Sequence, residues 1–529
     1  MKKFETLSVL IECSSGVVPR VETIKNFTEI LSRFGYNRLY LGLADGYKIK
    51  NEPRFNYKRG GYTTEELKEI DGYAKKCGVE VVAQINVLSH LHFLKKYPEY
   101  FDIFDTDNVL LVGNDRVYRL IDNMLGAISE GLSSRTIHIG LDEAFGLGTG
   151  EYLKQHGYAD KKTLILEHLK RVSPLLKKYG YTPEIWGDML AEKEKDSAAP
   201  QKIKACLPEG TTAFLWNYEE KDEKKLAEMI EDMTSRSKNV AYAGAAWKYL
   251  GFGPNNRYYL SRIIPQMKVC YEKGIKHYMV TLWSDRGAPC SNYAALPALY
   301  AAAEYANGGY SGTGEPDKEK FEKITGEKYD DLSSLEFIDN PFKTACTERS
   351  SSSFWAFYTD VLLGNFDTLL PDGVNKAYIG LAAEYEEKAS GKFAHLYKTV
   401  AAVAKVLAVK SPIPAKIRKL NDSGDKIAAK EIIEELKKLK EETLAFENVF
   451  DEYFLKDNKA FGLEIHHLYN GGQVFRIDYA IRRLQAFIDR GERIEETEGG
   501  IMPLGYNPMP TVDCSCMTDL RMLISYCIQ

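Results

Sequence analysis

Residues 136–146 read TIHIGLDEAFG, and how this stretch is read decides the fold. From Thr136 to Leu141 the residues are β-branched or apolar with no helical period, the pattern of a short buried strand. Two adjacent acids follow, Asp142 and Glu143. Carboxylates at the carboxyl end of a buried strand are costly to hold unless they are hydrogen-bonded or used in chemistry. In a barrel of parallel strands, that end is where catalytic residues sit. The plainer alternative is a strand-to-helix turn, with Asp142 capping a helix and Glu143 in its first turn. Taken alone, the two readings weigh equally.

The surrounding chain tips the balance. Up to residue 308, short β-rich runs alternate with amphipathic ones. The strand candidates are Leu7–Cys13, Arg38–Ala44, Val79–Leu88, Thr136–Leu141, Thr182–Trp186, Thr212–Trp216, Val240–Ala245 and Tyr278–Trp283. Helical patterns separate them, such as Val21–Phe34, Thr64–Cys77 and Arg257–Lys273, and glycines close several, as at Gly35, Gly78 and Gly274. Eight strands each followed by a helix predict a (β/α)8 TIM barrel over residues 1–308. Residues 309–320 lie in a hinge rich in Gly, Pro and charge. Residues 321–529 read as a mostly α-helical C-terminal domain, with long amphipathic runs at 352–365, 376–409, 425–455 and 458–490.

Composition narrows the function. The net charge is −5 with no basic block, which argues against a nucleic-acid partner. No run is long and apolar enough to span a membrane, and MKKFETLSVLIEC reads as a first strand, not a signal peptide. Nine cysteines, an odd number in a large chain, suggest reduced thiols and a cytoplasmic location. Cys514 and Cys516 form a lone C-x-C, better explained by packing than by a metal.

Aromatic and polar residues gather at the strand ends. Of five tryptophans, Trp186, Trp216, Trp247 and Trp283 fall at or just past the ends of strands five to eight. Any one could plug the barrel, but the set suits the apolar faces of a sugar ring. Arg20 follows strand one, Asp45 ends strand two, His90 follows strand three, and Asp188 and Asp285 follow strands five and eight. His138 alternates along strand four, where a satisfied barrel histidine is commoner than a participant.

The motif His138-x-Gly140-x-Asp142-Glu143 resembles the signature of glycoside hydrolase family 20, the β-N-acetylhexosaminidases. Trp186-Gly-Asp188-Met189, Trp216-Asn-Tyr218 and Trp283-Ser-Asp285 carry the same resemblance. LLGNFD at 362–367 and AFGLEIHHLYNGG at 460–472 resemble the helical domain of the cytoplasmic, single-barrel members. The resemblance implies retaining hydrolysis of a terminal β-linked N-acetylhexosamine, assisted by the substrate's own acetamido group. It makes Glu143 the proton donor, Asp142 the group that orients the acetamido N–H, and a tyrosine the donor to the acetamido oxygen. Tyr218 is the candidate, with Tyr242 or Tyr249 as alternatives. It further implies that Arg20 and Asp285 hold outer hydroxyls, that the tryptophans wall the pocket, and that Asp45 and His90 form a relay tuning Glu143, with His138 in support. Strand three departs from better-known members, reading Gln84-Ile-Asn86-Val-Leu-Ser-His90, and Asn217 stands where Asp is common.

The resemblance calls for no cofactor and no metal. A metal-dependent barrel hydrolase remains a rival, with His90, His92 and Asp285 as ligands. A non-catalytic N-acetylhexosamine-binding barrel is the other. The helical part is either a packing partner for the barrel, a homodimer interface, or a wall of the sugar site carrying Tyr469 or Arg476.

Overall fold

The eight strands close on themselves. In a computed structural model, β1 (Thr6–Glu12), β2 (Arg38–Gly42), β3 (Glu80–Gln84), β4 (Thr136–His138), β5 (Thr182–Trp186), β6 (Thr212–Trp216), β7 (Asn239–Ala245) and β8 (His277–Leu282) pair in sequence order, all parallel, and β8 returns to β1. The structure describes residues 2–14, 16–191, 199–249, 251–287, 289–344, 351–364 and 370–498. Cys514, Cys516 and residues 365–367 of the LLGNFD stretch lie outside the described residues.

The strands read as nearly continuous apolar runs because helices cover one face and the barrel interior the other. Leu10, Tyr40, Val82, Trp186, Phe214, Ala241, Ala243 and Met279 fill that interior, the two alanines leaving room for the large rings. A polar layer is also enclosed. Glu184 of β5 accepts from the Tyr40 hydroxyl at 2.7 Å and lies 3.3 Å from the Arg38 guanidinium. Burial pushes the Glu184 carboxyl up to about 7.

Three strands are shorter than the sequence suggests, β2 by the two residues after Gly42 and the other two by more. β3 stops at Gln84 and β4 at His138, so Asn86, His90, Asp142 and Glu143 all stand on loops beyond the strand ends. No helix starts at Asp142; the next one is Glu151–His156, which removes the helix-cap reading.

The residues group into two compact units. One holds Met1–Ala246, Tyr259–Trp283 and Leu299–Asp317; the other holds Trp247–Tyr258, Ser284–Ala298 and Lys318 onward. A helix, Lys318–Thr325, already begins within the hinge stretch. In the second unit the run at 376–409 is two helices, Val374–Lys388 and Ala394–Lys410, broken where Gly391 takes a φ of 70°. Lys426–Asp457 packs on Ala394–Lys410 and on Leu463–Arg490 through a stripe that includes Ile432, Leu436, Leu439, Phe446 and Phe450. Arg476 pairs with Asp360 at 2.6 Å. Among the described residues, no helix is long and apolar enough to cross a membrane.

Candidate active site

A glycine ends β4. His138 is fully buried, and its Nδ1 accepts from the Gly140 N–H at 3.2 Å. Gly140 takes φ +73°, where a Cβ would come 2.7 Å from Asn86 Oδ1 and 3.1 Å from the Ile85 carbonyl. The left-handed backbone continues into residues ill suited to it: Leu141 at φ 82° and Glu143 at φ 52°. His90, at φ 60°, faces them from the loop after β3. Each such conformation costs about 1–3 kcal/mol and persists where the surroundings enforce it, typically at functional sites.

The strained residues converge. His90 Nε2 lies 3.1 Å from Asp142 Oδ2 and 3.7 Å from Glu143 Oε2. Ser89 donates from its hydroxyl to the Asp142 carbonyl. The other carboxylate oxygen, Asp142 Oδ1, is buried with no hydrogen-bond partner among the described residues. Such an acceptor costs about 1–3 kcal/mol and calls for an explanation.

Asp188 ties the pair to the aromatic rim. Its Oδ2 accepts the Glu143 main-chain N–H at 2.9 Å and its Oδ1 accepts the Trp216 indole N–H at 3.2 Å. The Trp216 and Tyr218 rings lie 5.4 Å apart, and Trp283 donates its indole N–H to the Tyr218 hydroxyl at 2.9 Å. A connected chain thus runs from the end of β4 past β5 and β6 to β8. Sequence reading noted Asp188 within Trp-Gly-Asp but gave it no role; its place two residues past a strand-end Trp was the available signal.

Charge is tuned here. Burial raises the Glu143 carboxyl above its ordinary value, and the neighbouring Asp142 charge adds to this while His90 opposes it. Burial likewise raises Asp188. For His90, burial works to lower the pKa, but the adjacent Asp142 carboxylate and the other acids around it outweigh it, so the imidazole is held above its usual value. One imidazole nitrogen and two carboxylates, from His90, Asp142 and Glu143, lie within 4.8 Å of one another and could hold a cation.

The structure therefore unites Asp142, Glu143, His90, Trp216, Tyr218 and Trp283. Asp45, His138, Trp186 and Tyr242 fall elsewhere. Asp45 is paired with Arg59, carried back by the loop in which Tyr47 bridges Tyr62, so His90 meets Asp142 and not Asp45. His138 is a core residue among Tyr40, Trp186 and Phe214, pushed down to about 3 by burial, and contacts neither acid. Trp186, 2% exposed, plugs the barrel instead of walling its mouth. Tyr242 is fully buried and donates to the Asn217 carbonyl, Tyr249 belongs to the second unit, and Tyr218 is the candidate phenol connected to Trp216 and Trp283. Arg20 is exposed at the start of the helix Val21–Phe34 and touches neither Asp142 nor Glu143. Trp247, 4.0 Å from Tyr249, and the exposed Asp285 belong to the second unit. His92 is exposed beside Asn108 and is not in the group of His90, Asp142 and Glu143 whose ligand atoms could share a cation, so the two-histidine ligand set does not form among the described residues.

Comparison with known proteins matches residues 18–257 to the catalytic domain of glycosyl hydrolase family 20 and residues 329–514 to the glycoside hydrolase 20C C-terminal domain. The chain is 25% identical to human hexosaminidase D over 221 residues, 38% of this chain and 43% of that protein. It is 26% identical to a β-hexosaminidase of Vibrio furnissii over 221 residues, 34% of this chain and 36% of that one. It thus spans less than half the length of both relatives. A solved β-N-acetylhexosaminidase of Bacteroides fragilis is 20% identical, covering 61% of this chain and 70% of its own, with a TM-score of 0.47. Two models of one family between them take in most of the barrel and most of the helical part, and the chain belongs to glycoside hydrolase family 20.

Proposed function

We propose that the protein is an exo-acting β-N-acetylhexosaminidase that releases terminal β-linked N-acetylglucosamine, N-acetylgalactosamine or both from oligosaccharides or glycoconjugates. The observation that carries this reading is the orphaned, buried Asp142 Oδ1 beside a glutamic acid whose carboxyl burial raises above its ordinary value. An acetamido N–H is the donor that oxygen lacks. A conventional retaining pair flanks the scissile bond with carboxyl groups about 5 Å apart. Adjacent residues sharing one imidazole approach from one side, so the nucleophile has to come from the substrate.

In this mechanism Glu143 gives its proton to the glycosidic oxygen as the C1–O bond breaks and the leaving alcohol takes the electron pair. The acetamido oxygen bonds to C1 and forms an oxazolinium ion. Asp142 accepts the acetamido N–H and balances the positive charge. Water then attacks C1, the Glu143 carboxylate takes its proton, and the acetamido group is restored with retention. Tyr218 donates to the acetamido oxygen, Trp216 and Trp283 wall the ring, and Asp188 fixes the Glu143 backbone. Arg20, Trp247 and Asp285 are kept as candidates for the outer hydroxyls and rim. The names of the human and Vibrio relatives agree with this activity. We place the enzyme in the cytoplasm, because Cys13, Cys77, Cys206, Cys270 and Cys290 are free thiols; recovery from a secreted fraction would refute that.

The test is hydrolysis of 4-nitrophenyl N-acetyl-β-glucosaminide and its galacto epimer, with and without EDTA, beside Asp142→Asn. Activity that survives chelation and collapses in the variant is expected. Activity abolished by EDTA would favour a cation among His90, Asp142 and Glu143. Binding of N-acetylglucosamine without turnover would favour a binding barrel.

A further inference from the structure

After Glu143 the chain carries glycine at every second position, Gly146, Gly148 and Gly150. They let this loop lie against a second segment. A Cβ on Gly150 would come 1.9 Å from the Asp105 carbonyl oxygen, and one on Gly146 would come 2.8 Å from Thr106 Oγ1. Asp105 closes the contact. Its buried carboxylate accepts the main-chain N–H groups of Gly148, Gly150 and Tyr152 at 2.5, 3.2 and 2.8 Å. Its carbonyl accepts the Glu151 N–H at 2.9 Å. The helix that follows, Glu151–His156, buries none of its residues and is too short to hold by itself, so the core gains little from this clamp. Between the clamp and the acid pair the loop is closed on itself. The Leu147 N–H returns to the Ala144 carbonyl at 3.1 Å and the Phe145 N–H to the Glu143 carbonyl at 2.8 Å, with Ala144 and Leu147 both buried.

The segment that holds Asp105 also leads back to His90. Asp105 stands in a turn in which Phe104 pairs with Leu110, and its own N–H donates to the Val109 carbonyl at 2.8 Å. The Leu110 N–H donates to the Leu88 carbonyl at 2.8 Å, just ahead of Ser89 and His90. His90 has to face Asp142 and Glu143 together, so the two loops must keep a fixed register. We propose that Asp105 is the positioning residue that sets this register and thereby places the Glu143 carboxyl against the glycosidic oxygen. The proposal rests on the reading of Glu143 as proton donor. A carboxylate suits the task, since two acceptor oxygens meet three N–H groups. An asparagine would offer one oxygen and turn its NH2 toward other donors.

The test compares kcat/KM on phenyl and 2,4-dinitrophenyl N-acetyl-β-glucosaminides for the wild type, Asp105→Asn, Gly146→Ala and Glu143→Gln. Phenolate needs a proton in order to leave; dinitrophenolate departs without one. Misplacing the donor should lower the phenyl rate about tenfold or more and the dinitrophenyl rate by less than about threefold. Loss of folded protein lowers both rates equally and cancels from their ratio. Gly146→Ala pushes the loop from the Thr106 side, at a residue without positive φ, and should show the same split even where Asp105→Asn does not fold. A split in all three variants supports the proposal. A split in Glu143→Gln alone, with both substrates equally affected in the other two, overturns it and leaves the proton donor standing. No split in Glu143→Gln overturns the proton-donor reading and this proposal with it.

Discussion

Glu143 has to keep a proton at a pH where an ordinary glutamate has lost it, and its neighbours set how far. Burial and the Asp142 charge raise its pKa, and the His90 imidazolium lowers it. Removing a raising influence should move the alkaline limb of kcat/KM to lower pH; removing the lowering one should move it higher. Asp142→Asn and His90→Gln are therefore expected to shift that limb in opposite directions, read from pH–rate profiles. Shifts of the same sign would show that the pair is wired differently. Glu143→Gln should lower kcat/KM on an N-acetylglucosamine disaccharide by about 10²–10⁴, the range of general acid–base catalysis. Asp142 and Glu143 were legible because two acids beside a buried strand need a reason to be there. The partner of His90 was not, because which loop swings toward which acid depends on where the strands stop. Arg59 takes Asp45 from fourteen residues away, and spacing in sequence gives no sign of that.

At the scale of elements, the turn after β4 holds the site. Gly140→Ala would force a Cβ against Asn86 and the Ile85 carbonyl at a positive φ. The expected outcome is a loss of about 1–3 kcal/mol in denaturant unfolding together with a fall in kcat. Unchanged stability and rate would mean that the turn relaxes freely. The amino ends of β5 and β6 and the glycine-closed helices were readable because buried parallel strands and left-handed caps leave local marks. β3 and β4 were over-read, since apolar residues continue past the point where Gly140 and its left-handed successors turn the chain out of the ladder. The helical run broken at Gly391 hid its break for the opposite reason: its amphipathic pattern continues on both sides of the glycine. Trp186 looked like a member of the rim because its position on the strand is terminal, yet its ring packs inward among His138 and Phe214.

Across the whole molecule, the barrel encloses a charge whose protonation bears on stability. Glu184 is 4% exposed, and its carboxyl is raised from an ordinary 4.5 to about 7. The folded state therefore binds this proton more tightly than the unfolded chain does. The stabilisation is complete below about pH 4.5 and lost as pH rises through about 7. Glu184→Gln, which mimics the protonated form, should gain stability relative to wild type between pH 5 and 8, by up to about 3 kcal/mol. Thermal unfolding at both pH values checks it, and a constant difference would refute it. The central claim, that the substrate's acetamido group is the nucleophile, is tested most directly by fluorinating that group. Across 4-nitrophenyl N-acetyl-, N-fluoroacetyl-, N-difluoroacetyl- and N-trifluoroacetyl-β-glucosaminides, substrate assistance predicts that kcat/KM falls steeply as the carbonyl oxygen loses nucleophilicity. A rate indifferent to fluorination would contradict it and put the nucleophile on the protein or on water.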